Sequence, residues 1–220
     1  IKSELNNNFN FRSIDFISNH GLKNNFGIYF KNVNTVAKND TKYKSSPQLE
    51  LMNIVNFETS LPLVKNDEQY SNSLTPKISL RINPTDMKNY SSSDSLINTD
   101  NIFSINRLAM SDTYESGKSL TLGIDYKKEK IEDINKYFEV NLATVLRDSK
   151  EDRIPIKSTL GEKQSNLFGS TMFRMSKNLL IDYNFAVDND MQTFEYNSLS
   201  AELSFDKFIT KFDFVETADK

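Results

Sequence analysis

The sequence contains no cysteine, so neither a disulfide framework nor a thiolate metal site can form within it. Its single histidine, His20, sits beside Gly21 in a turn-like stretch. A catalytic triad or histidine-based metal site would find no partner there, and a solvated loop histidine is the expectation. Tryptophan is absent too, and with it a frequent member of membrane aromatic belts. Positive charge is not in excess, since the net charge is -3 and the pI about 5.4. The densest basic run, Lys127, Lys128 and Lys130, is diluted by Glu129 and Glu132. Nucleic-acid binding requires a basic stripe, so nucleic acid is not expected as a partner.

Long apolar runs are missing as well. Nothing approaches the roughly 18 consecutive apolar residues of a transmembrane helix. That excludes helical spans only, because a membrane strand needs about 9–11 residues, half of them apolar. Hydrophobic residues make up 37% and the mean hydropathy is -0.55, below the roughly 45–50% apolar content of ordinary soluble domains. Disorder would also lower these values, but 16 Phe and 9 Tyr argue against it. Asn is frequent, at 26 residues, yet scattered among alternating apolar positions. It reads as a bias of the source genome and not as a prion-like tract. The first residue is Ile1, with no initiator Met or signal peptide ahead of it, and both ends read as cut.

What is present is period-two alternation. In Ser119–Lys127, Leu120, Leu122, Ile124 and Tyr126 share one face, against Ser119, Thr121, Gly123 and Asp125. Tyr137–Arg147 repeats the pattern, with Phe138, Val140, Leu142 and Leu146 opposite Glu139, Asn141 and Arg147. Leu179–Asp188 shows it most cleanly, as Leu179, Ile181, Tyr183, Phe185 and Val187 oppose Asp182, Asn184, Ala186 and Asp188. Such alternation marks strands with one apolar and one polar face. Further strands are expected at 8–18, 24–36, 48–61, 76–83, 101–109, 167–175, 192–205 and 207–216, about eleven in all. A phase slip between Tyr196 and Leu199 predicts a bulge near Asn197–Ser198. No amphipathic helix is visible, so the fold class is all-β.

Turn formers connect these segments at Asn39-Asp40, Ser176-Lys177-Asn178, Asp188-Asn189-Asp190 and Asp206-Lys207. Two connections are long, 84–100 and 148–165. Across these strands loop lengths do not alternate strictly between short and long, so they give no orientation. Alternation alone fits a soluble β-sheet module as well as a membrane barrel. Strand lengths near ten, long polar side chains on the polar faces, and aromatics near strand ends favour the barrel. Asn53, Thr59, Thr144 and Thr171 interrupt the apolar faces.

The stretch 74–128 carries more than rhythm. It holds the proline-led strand Pro76–Arg81 closed by Pro84, then Asp100-Asn101-Ile102-Phe103 with Asn106-Arg107. Asp112 and Glu115 follow ahead of Gly117, leading into Leu120-Thr121-Leu122-Gly123 and Tyr126. This segment resembles the C-terminal β-barrel domain of the LPS-assembly protein family, also called the organic-solvent-tolerance proteins. The resemblance implies an antiparallel up-and-down transmembrane β-barrel in the Gram-negative outer membrane. It implies a non-enzymatic role, receiving lipopolysaccharide from a periplasmic bridge and delivering it to the outer leaflet through a lateral opening. It also implies a small lipoprotein plug as a partner, and no cofactor. Neither the family's periplasmic jelly-roll nor its cysteines is recognisable. An odd count near eleven fits no complete barrel, so residues 1–220 are expected to be part of one barrel wall, an incomplete one of about 10–11 strands. The alternatives are a porin or receptor-type barrel and a soluble β-rich adhesin or binding module.

Several constellations bear on chemistry. Gly117-Lys118-Ser119 lacks the earlier glycine and the following helix of a phosphate loop. Asp188-Asn189-Asp190 lacks the glycine and closing glutamate of a calcium loop. Asp94, Asp100, Asp112 and Glu115 make 84–117 acidic, which is expected of a solvated loop, with a cation bridging lipid phosphates as the alternative. Arg107, Asp112 and Glu115 are expected to form an ion-paired strand end that fixes register. The functional reading is that they shape the lumen along a lipid path. Alternation turns Arg81 and Arg147 toward the lumen, where guanidinium suits the phosphates of a glycolipid. Arg174 shares its face with Phe168 and Met172, which leaves its direction open.

Overall fold

Alternation over long segments demands that one face meet something apolar while the other stays wet. A single antiparallel sheet meets that demand. The computed structural model describes residues 1–39 and 44–218. Its strands are β1 (Lys2–Arg12), β2 (Phe16–Ile17), β3 (Lys23–Ala37), β4 (Gln48–Ser60), β5 (Leu63–Asn66), β6 (Tyr70–Asn83), β7 (Gly117–Lys130) and β8 (Asp133–Arg147). β9 (Leu167–Ser176), β10 (Leu179–Val187), β11 (Phe194–Phe205) and β12 (Phe208–Thr217) complete the set. One 3₁₀ turn, Ile156–Ser158, is the helical content among the described residues. Neighbours in sequence are neighbours in space, in the order β1-β3-β4-β6-β7-β8-β9-β10-β11-β12, with β2 beside β3 and β5 beside β6. β1 and β12 do not pair with each other, so the sheet is an open, up-and-down wall.

Four sequence expectations change, the first being that 8–18 is not one strand but the end of β1 and the short β2, parted at 13–15. The segment 101–109 is not a strand but a run of turns. Its asparagines close those turns on themselves: Asn98 Oδ1 accepts from the Asp100 and Asn101 amides, and Asn106 Oδ1 from the Met110 amide. Side-chain acceptors of this kind compete with a strand ladder for backbone donors. The bulge falls two residues earlier than expected, at Glu195, where Ala186 pairs with Tyr196 and Val187 with Phe194. The alternation then runs on unbroken, placing Tyr196 inward and Leu199 outward. Finally, the strand expected at 76–83 begins at Tyr70. Pro76, which has no N–H to give, sits where β6 changes partner from β5 to β4, and its carbonyl accepts from Leu61 N at 3.0 Å. The turn expected at Asn39-Asp40 reaches Asp40, which lies outside the described residues.

With 101–109 removed from the strands, ten cross the wall, so the odd count no longer argues for incompleteness; the two unmatched edges do. The connections now sort by end. At one end lie the two-residue turns 131–132, 177–178 and 206–207, with 13–22 and 61–69 containing β2 and β5. At the other lie 84–116, 148–166 and 188–193.

The two faces differ sharply. Register aligns Phe26 with Phe57, Phe57 with Leu80 and Leu80 with Leu120, all on the outer face. Farther round, Phe138 faces Phe173 and Leu199 faces Phe214. Phe26, Ile28, Val55, Phe57, Ile78, Leu80, Phe138, Phe173, Leu199, Phe212 and Phe214 are each more than a third exposed. Soluble monomers rarely present a contiguous apolar surface beyond a few hundred Å², whereas a membrane wall requires one. The inner face is polar and partly covered by the two long connections. Met87, Ile97, Ile102, Leu108 and Met110 of 84–116 pack with Ile154 and Leu160 of 148–166 onto Ala143, Val145, Phe168 and Ala186 of the wall. A second cluster sets Tyr114 against Val33, Met52 and Ile54. The buried core therefore lies inside the curve of the sheet.

Candidate functional site

The charged residues that alternation turns inward come together where 84–116 rejoins the wall. β6 supplies Arg81 and β8 supplies Arg147 on the inner face, two strands apart across β7. The connection supplies Arg107 and Glu115. Glu115 is 2% exposed and takes a two-pronged grip from Arg107, Nε to Oε2 at 2.8 Å and Nη2 to Oε1 at 2.6 Å. Arg147 Nη1 donates to the same Oε1, and its Nη2 to the Ser116 carbonyl. Arg81 Nη1 stands 3.7 Å from Glu115 Oε2. Arg107 spends its remaining donors on Thr121 Oγ1, Ser119 Oγ and the Ile102 carbonyl. Asn83 Nδ2 donates to the Glu115 carbonyl at 2.9 Å.

Glu115 lies outside the spanning strands, and its titration reflects two opposed effects. Burial pushes the carboxyl up, but Arg107, Arg81 and Arg147 outweigh it and hold it at about 2. Gly117 closes the arrangement. Its φ of +85° is a left-handed conformation, and a Cβ there would lie 2.7 Å from Arg147 Nη2. Gly123 lets the connection touch down farther along β7, since a Cβ would lie 2.7 Å from Phe103 Cζ. Phe103 in turn carries Lys77 Nζ over its ring at 4.4 Å.

Asp112 does not join Arg107 and Glu115. It accepts from Lys88 Nζ at 3.0 Å and from the Tyr90 hydroxyl, and Lys88 also bridges to Glu50 of β4 at 2.9 Å. Burial raises the Tyr90 hydroxyl first and Asp112 adds to it, to about 12. Arg174 is inward, its guanidinium 5.9 Å from the Tyr137 ring, and stays apart from the cluster. Asp94 pairs with Lys157 on the surface.

Other fastenings went unread in the sequence. Lys31 of β3 is buried, donates to the Ser111 carbonyl and lies 5.4 Å from the Tyr114 ring centroid. Arg153 grips Glu151 through Nε at 2.7 Å and reaches Asp86 at 3.1 Å, while Ser116 Oγ donates to Glu151 at 2.6 Å. The Arg153 hydrogen bonds, against burial, hold Glu151 at about 2. Inward alternation would have found Lys31; the contacts between the two connections leave no periodic trace.

The arrangement is a polar inner wall, partly covered at one end by two connections, one pinned through the buried Glu115 cluster and the other through the partly exposed Arg153–Glu151 pair. Compared with known protein families, residues 30–217 match the model described as LptD: LPS transport system D. No curated protein matches the chain.

Proposed function

Because the chain belongs to the LPS transport system D family, we propose that residues 1–220 are part of one outer-membrane β-barrel domain that passes lipopolysaccharide to the outer leaflet. The observation that carries this is the contiguous exposed apolar face of the wall, opposite a polar inner face. A porin reading asks for an open lumen, but here 84–116 and 148–166 pack onto the inner wall. A soluble module would have to leave that apolar face in water.

Orientation follows from the connections. Outer-membrane barrels have short periplasmic turns and longer outer loops, so the end bearing 131–132, 177–178 and 206–207 faces the periplasm. The end bearing 84–116 and 148–166 faces outward, and the arginine cluster lies near the outer surface. The lipoprotein plug and the periplasmic bridge remain the partners that the family resemblance supplies.

The test is site-directed photo-crosslinking of the full-length protein in cells. A crosslinking residue at inward Ser198 or Ser170 is expected to yield lipopolysaccharide adducts, and at outward Phe138 or Phe173, near the periplasmic turns and so beside the inner leaflet, markedly fewer. Equal labelling from both faces, or recovery of the protein in the aqueous fraction without detergent, would sink the proposal.

A further inference from the structure

The charges of the inner cluster do not balance. Three guanidiniums, of Arg81, Arg107 and Arg147, surround the single carboxylate of Glu115, and no side chain among the four is more than 6% exposed. That leaves two positive charges uncompensated where burying an unpaired ion is costly. Lys31, held by a carbonyl and a ring, adds further cationic charge beneath the same connection.

The deficit is localised at Arg81. Arg107 and Arg147 are well supplied with acceptors, but Arg81 has one ion contact at 3.7 Å, and its buried Nε has no acceptor among the described residues. Its inward neighbours across the sheet are Asn56 and Ser119. Asn56 Oδ1 already accepts from Ser79, and Ser119 Oγ from Arg107. The wall therefore presents a guanidinium fork with its acceptors taken elsewhere.

We propose that Arg81, Arg107 and Arg147 form a binding site for a phosphate-class oxyanion, shared with Glu115. The fork geometry of arginine matches such an anion through paired hydrogen bonds. A phosphate monoester carries about -1.5 to -2 at neutral pH, which offsets the surplus of two; a halide or carboxylate would leave one charge over. Of the four, Arg107 borders a cavity of about 370 Å³, lined also by Tyr90, Asp94, Met110 and Pro155. The site stands on this charge count; only the lipid-borne form of the ligand rests on the transport reading.

The experiment uses the full-length protein in neutral detergent micelles at constant ionic strength. Chymotrypsin cleavage at Phe103 reports opening of 84–116, which anion binding opposes. With inorganic phosphate at a hundred times its dissociation constant, the open population and the cleavage rate should fall about a hundredfold. R81M, which keeps bulk and removes the fork, should abolish the effect, and R81K serves the same comparison if R81M does not fold. R174M, inward on the wall but apart from the cluster and from 84–116, should retain it. A parallel arm replaces phosphate with phosphatidic acid in the micelle. Protection by phosphate assigns the site to the free anion, and protection by phosphatidic acid alone assigns it to a lipid headgroup. Protection by neither, or protection that persists in the Arg81 variants, overturns the proposal.

Discussion

Glu115→Gln is the most informative single change, because it keeps the shape of the side chain and removes the one anion among three buried guanidiniums. Two routes give its cost. The carboxyl is held at about 2 against an ordinary 4.5, and that difference corresponds to about 3 kcal/mol at neutral pH. Removing one partner of a buried ion pair costs about 3–5 kcal/mol. The estimates agree, and the loss should fall on the connection that Glu115 anchors. The assay is hydrogen exchange by mass spectrometry on the full-length protein in micelles, in phosphate-free buffer. Amides of 84–116 should exchange about a hundredfold faster in E115Q. The ladder between β11 and β12, far round the wall from the cluster, should be unchanged. Acceleration below about fivefold would refute the reasoning, since it would mean the guanidiniums are solvated and the ion pairs contribute little.

The same group sets a pH window. A carboxyl whose folded value lies below 4.5 contributes fully above pH 4.5 and loses that contribution as pH falls toward about 2. Protease opening of 84–116 should therefore rise across that interval in the native protein. E115Q should lack this component, while that of Glu151, which is also held at about 2, should persist. Gly117→Ala forces a left-handed φ of +85° and a Cβ 2.7 Å from Arg147 Nη2; a loss of about 1–3 kcal/mol in urea unfolding is expected. No shift in the midpoint would count against that geometry. Ile124→Arg, on the outer face at the middle of β7, should cost about 2–4 kcal/mol of folding into vesicles, while Ser198→Arg, on the inner face, should cost little. Similar losses at both would mean that the faces are misassigned.

Period two made the strands of the wall legible, and it turned Arg81 and Arg147 inward from sequence alone. It misread 101–109 for a physical reason. Ile102, Leu108 and Met110 are buried there as strand residues would be, because a connection laid into a curved sheet needs an apolar underside too. The discriminating signal was asparagine, taken as a genome bias, which at Asn98, Asn101 and Asn106 serves as backbone acceptor or donor in the turns. Loop lengths were uninformative only while that strand stood among the others. The site was half legible: Arg107 and Glu115 do pair, but Asp112 goes to Lys88 and Tyr90. Bringing Arg81 and Arg147 to Glu115 required knowing that β6 and β8 flank β7, a tertiary fact with no period.

The cluster draws its members from three consecutive strands and the segment between two of them. In a sheet whose side chains alternate, slipping β6 or β8 by one residue turns Arg81 or Arg147 out toward lipid. The connection then has nothing to close upon. Closure of 84–116 thus requires β6, β7 and β8 in this one register, so a single buried carboxylate ties the seating of the connection to the alignment of three strands.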